Sequence, residues 1–130
     1  MGLDNGIVIK KNDHTAAIDA KLVDLFEELT YSEEYEVCYW RKCYNLRNEI
    51  LYIINRKFDE EYEYRLNAED VEQIIEYLQS LDADTWNDSG PSLWEWEEME
   101  EHILQDINNL STLVELMKEY DLDVVFYDSY

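Results

Sequence analysis

One guanidinium interrupts the apolar stripe of the longest basic segment in an otherwise very acidic chain. Read as a helix at 3.6 residues per turn, positions 39–58 stack Trp40, Cys43, Tyr44, Ile50, Leu51, Ile54 and Phe58 on one side, with Arg47 among them. Taking an unpaired guanidinium out of water costs several kcal/mol, on the order of the whole stability of a small domain. Arg47 therefore needs a carboxylate partner, a route for its head to water, or a cleft open to an anion.

The chain of 130 residues is the size of one domain, 1–130, and can bury a core without disulfides or metal. Eleven Tyr and four Trp are more aromatic surface than a disordered acidic tail carries, so the charge decorates a folded body. Cys38 and Cys43 stand five apart, which fits neither a CxxC redox motif nor paired zinc knuckles, and both are expected reduced and packed. With no signal-peptide core after Met1 and no apolar run near the roughly 18 residues of a membrane span, the expected location is the cytoplasm.

The net charge of −22 is unevenly spread. Nine basic and 14 acidic residues leave positions 1–65 at −5, whereas Lys118 against 18 acids leaves positions 66–130 at −17. Such a field repels nucleic acid and anionic membranes and attracts basic protein surfaces. Direct nucleic-acid and membrane binding are thus disfavoured, although Arg41, Lys42, Arg47, Arg56 and Lys57 leave room for a small anion site.

Several elements are readable. Ile7-Val8-Ile9 reads as a strand after an Asp4-Asn5-Gly6 turn, and Thr15 as the cap of a helix reaching Leu29. Asp59 to Arg65, with Tyr62 and Tyr64 alternating against charges, reads as an exposed strand, and Asn67 caps a helix carrying Val71, Ile74, Ile75 and Leu78. Asp82 to Pro91 is the clearest loop. Ser92-Leu93-Trp94-Glu95 then forms a capping box for a long amphipathic helix to Tyr120. Val124 to Tyr127 reads as a closing strand able to pair with the opening one. The expected architecture is α+β, a small antiparallel sheet of the terminal strands and the tyrosine strand packed against three to four helices.

Four short motifs in order carry a resemblance: Met1-Gly2-Leu3-Asp4; Glu36-Val37-Cys38-Tyr39-Trp40-Arg41-Lys42 followed by Leu46-Arg47-Asn48; the tyrosine strand leading into the helix capped at Asn67; and Phe126-Tyr127-Asp128-Ser129-Tyr130. Over nearly its whole length the chain resembles a group of small acidic phage and prophage proteins that begin Met-Gly-Leu-Asp and carry a Tyr-Trp-Arg-Lys helix. Where that group has His in this helix the chain has Arg47, so a titrating imidazole does not carry over. The group brings no activity with it; the resemblance implies a mobile-element origin, a host-cell setting and host defence systems as partners.

Candidate sites follow from charge and aromatics. Glu95, Glu97, Glu98, Glu100 and Glu101 crowd the start of the long helix at about 1.5 Å rise per residue, a density comparable to DNA phosphates at about 3.4 Å. With Asp82, Asp84, Asp88 and the anchor Trp94 they form a candidate partner-binding face; the plainer reading is a solvated helix start favoured by the macrodipole. Trp40, Arg41, Arg47 and Asn48 form an alternative set able to stack and clamp a nucleotide, against a structural ion pair for Arg47. Glu98, His102 and Asp106 share a face at i, i+4 and i+8, but about 12 Å of axis is too long for one ion, so neither metal nor cofactor is expected. Trp86, Trp96, Phe126, Tyr127 and Tyr130 supply further aromatic surface, divided between core and rim. No GxxxxGK, HExxH, G-x-S-x-G or CxxC supports catalysis.

The expected protein is thus non-enzymatic: a phage-encoded inhibitor of the anti-CRISPR or anti-restriction type that imitates DNA toward a basic, nucleic-acid-binding host protein. Sequestration of a nucleotide signal through the Trp40 helix is the alternative, and a defined homodimer is compatible with the charge.

Overall fold

In the computed structural model, which describes residues 4–31, 33–54, 63–88 and 94–129, the two ends of the chain lie side by side. Strand β1 (Asp4–Lys10) pairs antiparallel with β5 (Asp123–Ser129) over its full length, Ile7 opposite Phe126 and Val8 opposite Val125. The other neighbour of β1 is β3 (Glu34–Arg41), which carries the short β2 (Glu27–Leu29), while β4 (Glu63–Leu66) flanks β5. The result is a five-stranded antiparallel sheet in the order β2-β3-β1-β5-β4. Six helices accompany it among the described residues: α1 (Asp13–Ala16), α2 (Asp19–Leu25), α3 (Tyr44–Ile53), α4 (Ala68–Gln79), α5 (Ala83–Asp88) and α6 (Trp96–Glu119).

The fold is α+β, as the residue pattern implies, and its core joins sheet to helices. Ile7, Ile9, Trp40, Tyr64, Val124 and Phe126 from the strands pack in one cluster with Leu46 and Ile50 of α3, Val71 and Ile74 of α4, and Met99, Ile103, Leu110 and Leu113 of α6. Alternation sends Val8 and Val125 to the opposite face, where they are also buried.

Several local expectations are corrected. The region from Tyr39 is not one helix: Tyr39, Trp40 and Arg41 finish β3, Lys42 takes a left-handed backbone at φ 55°, and α3 begins only at Tyr44. Asn5 and Gly6 belong to β1 rather than a turn. Asn12, not Thr15, caps α1, with Thr15 returning the capping-box bond, and the predicted helix to Leu29 breaks into α1, α2 and β2. Within the predicted loop, 83–88 is helical. Tyr64 is buried rather than exposed. Glu95 caps α6 without a side-chain bond; Ser92, the other half of the predicted box, lies outside the described residues, as do Arg56, Lys57, Phe58, Tyr62 and Tyr130. The Asn67 cap is present as expected, paired reciprocally with Asp70.

Gly6 is required by space. A Cβ there would lie 2.3 Å from the Cys38 carbonyl oxygen and 3.0 Å from the Tyr127 ring. Backbone in a central strand cannot yield as a side chain does, so Gly6→Ala should lower stability by about 1–3 kcal/mol. Urea unfolding checks this, and an unchanged midpoint would contradict it.

Candidate functional site

The acidic face is set by the period of α6. Met99, Ile103, Leu110 and Leu113 turn inward, which sends Glu97, Glu98, Glu100 and Glu101 to solvent. Glu95, the N-cap, is exposed too, and Glu97 and Glu98 sit in the first turn where the helix dipole favours them. Asp82, just before α5, and Asp84 within it are both exposed. Helix α5 is tied to the start of α6 by Trp86, whose ring lies 6.0 Å from that of Trp96 and whose Nε1–H donates to the Trp94 carbonyl at 2.9 Å. Bonds from the Thr85 amide and hydroxyl hold the Asp82 carboxyl below the usual carboxylate range. Asp88 ends α5.

No ion pair among the described residues neutralises these carboxylates. Lys118, the sole basic residue after Arg65, sits at the other end of α6 and faces Glu72 at 3.3 Å. Trp94 is half-buried rather than a free anchor, its Nε1–H donating to the Arg41 carbonyl at 2.8 Å.

The alternative nucleotide-clamping set does not assemble. Arg47 is 1% exposed, and its Nε donates to both oxygens of the buried Asp128 at 2.7 and 2.8 Å. Trp40, equally buried, donates its Nε1–H to Asp106 Oδ2 at 2.8 Å. Arg41 and Asn48 are exposed, but one lies on β3 and the other on α3. The ion-pair reading of Arg47 is the one realised, because burial leaves a guanidinium no other inexpensive state.

The feature that sequence reasoning missed is the outer edge of β3. Strand β2 pairs only with Glu34–Glu36, and beyond it the β3 carbonyls are capped by side chains instead of a strand. Asn109 Nδ2 donates to the Val37 carbonyl at 3.1 Å, and Trp94 caps Arg41. His102 Nε2 lies 3.2 Å from the Tyr39 carbonyl, which the Nε2–H tautomer caps. These side chains blunt an edge that would otherwise invite another strand.

Beneath that edge lies Asp106, 2% exposed and 3.5 Å from His102 Nε2. Burial pushes its carboxyl up to about 6, against the opposing influence of His102, the Trp40 indole and the Cys38 thiol. Burial and the same carboxylate push the Cys38 thiol well up. Glu98 does not join His102 and Asp106 in a metal-binding group, and no such group exists among the described residues. A signal for Asp106 was present: Met99, Ile103, Asp106, Leu110 and Leu113 alternate at spacings of four and three, so an acid occupies a core position just as Arg47 does.

Comparison with protein-family models, curated proteins and solved structures gives no match. No helix among the described residues is long and apolar enough to cross a membrane.

Proposed function

We propose that the protein is a phage-encoded inhibitor that binds a basic, nucleic-acid-binding surface of a host defence protein through the carboxylates at the starts of α6 and α5. The observation that carries this reading is the uncompensated exposure of Glu95, Glu97, Glu98, Glu100, Glu101, Asp82 and Asp84 in a half-chain with one basic residue. A solvated helix start needs no more than a carboxylate or two near the dipole. Seven acids without a cation create a long-range field that steers a basic partner inward and keeps nucleic acid out. The half-buried Trp94 and the packed Trp86–Trp96 pair make a rigid support under that field. The resemblance to phage proteins motivates the host-defence setting.

The test is the triple variant Glu97→Lys, Glu98→Lys, Glu101→Lys. These side chains touch no core residue's polar group, so the circular dichroism spectrum should be unchanged. Retention of a nucleic-acid-binding protein from host lysate, and inhibition of its DNA binding, should fall on the order of 100-fold at low salt, about tenfold for each 1.4 kcal/mol lost. Unchanged affinity in moderate salt would overturn the reading.

A further inference from the structure

A cavity of about 400 Å³ lies between α6 and the β2–β3 pair, lined by Asp24, Phe26, Glu27, Glu36, Tyr39 and Asp106 among others. Its carboxylates are arranged at a cost. Glu27 and Glu36 are direct cross-strand partners, a like-charge juxtaposition that by itself destabilises a sheet. The neighbouring acids of the same strands are compensated: Glu28 is paired with Lys11, and Glu34 with Lys10. Glu27 and Glu36 have no such cation among the described residues, and no Lys or Arg lines the cavity. Among the described residues the imidazole that lines it, His102, is turned to the Tyr39 carbonyl and Asp106. Burial, together with Glu27 and Glu34, raises the Glu36 carboxyl above its ordinary range.

We propose that this cavity receives the guanidinium of an arginine side chain presented by the basic protein partner, an inference that rests on the proposed function and extends its face. Continuity supports the placement. Tyr39 and His102 line both this cavity and an adjoining one of about 280 Å³, whose wall includes Glu98 of the acidic face together with Arg41, so the first cavity is the one of the two lined by carboxylates without a Lys or Arg. The chemistry selects a guanidinium: the cross-strand carboxylates Glu27 and Glu36 match its planar fork, and the partly exposed Leu25 and Tyr39 beside them suit a weakly hydrated cation. The β3 edge forms one wall, and its Val37 and Tyr39 carbonyls are already occupied by Asn109 and His102. A side chain, not an added strand, is what fits.

The probe is the blocked pentapeptide Gly-Gly-Arg-Gly-Gly, with citrulline and Lys versions as controls, titrated into the whole chain and followed by amide chemical shifts. The Arg peptide should give saturable shifts centred on Glu36 to Tyr39. Glu27→Gln with Glu36→Gln should weaken it by about tenfold or more, while the charge-matched pair Glu69→Gln with Glu76→Gln on α4 should change it less than about twofold. The cavity variant relieves repulsion, so its fold is expected to hold, and the citrulline control needs no variant. Absence of saturable shifts, equal binding of the citrulline or Lys peptide, or equal weakening by the α4 pair would each overturn the inference. If the peptide fails while the α6 triple variant still loses its macromolecular partner, the cavity reading fails alone. If the peptide binds as expected while the triple variant keeps its partner, the face fails and the cavity stands.

Discussion

Arg47→Ala should cost about 3–5 kcal/mol in urea unfolding, a large part of the 5–15 kcal/mol typical of a domain, because it leaves the Asp128 carboxylate buried without its cation. Both side chains are nearly inaccessible, and the Nε bond to both carboxylate oxygens ties the first turns of α3 to the end of β5. Such a pair matters mainly when broken. Replacing both partners by apolar residues, as in Arg47→Met with Asp128→Leu, should recover most of the loss, since desolvation of two charges offsets much of their attraction. A loss below about 1 kcal/mol for Arg47→Ala would mean that water reaches the pair.

The same residue measures how far the sequence could be read. That Arg47 needed a partner followed from one charge among apolar neighbours; which of 32 acids supplied it did not, because the answer depends on how the last strand docks. The terminal strands, the Asn67 cap and α6 were legible because each rests on local periodicity or capping chemistry. Strand β3 was not, and the register explains why. Ile7 pairs with Cys38 but Val8 pairs with Glu36, so Val37 is an extra residue in the ladder. Burial accordingly falls on Tyr35 and Val37 and then on Cys38 and Trp40. A bulge thus shifts the two-residue alternation mid-strand, and the remaining spacing from Trp40 to Arg47 imitates a helix.

The site divides in the same way. Exposure of the α6 carboxylates could be anticipated, since their inward neighbours hold helical spacing. The capped β3 edge and the cavity beside it could not, because they are made by contacts between residues more than 60 positions apart, such as Asn109 with Val37 and His102 with Tyr39. Trp40 and Arg47 share a face only on a continuous helix; here Trp40 is in β3, Arg47 is in α3, and a left-handed Lys42 lies between them.

Asp106 makes the second large expected effect one of pH. Its folded carboxyl is pushed up to about 6 from an ordinary 3.8, so the folded chain binds a proton that the unfolded chain does not across that window. For an acid raised in this way the sign is fixed: stability increases as pH falls through the folded value, and the gain is complete only below the unfolded one. Between about pH 7.5 and about pH 4.5 this group should add about 2 kcal/mol, at 1.36 kcal/mol per unit of proton affinity. Falling self-repulsion in a chain of net charge −22 acts in the same direction, so the measurement must be a difference. Asp106→Asn keeps an acceptor for the Trp40 indole and removes the charge; its unfolding free energy should therefore depend on pH less steeply than that of the parent chain by about 2 kcal/mol over the window. Parallel profiles would mean that Asp106 stays ionised in the fold, held by His102 at 3.5 Å and the indole at 2.8 Å. A flatter profile would instead establish that the acid beneath the β3 edge is neutral in mildly acidic solution, where the edge-capping His102 loses its charged neighbour.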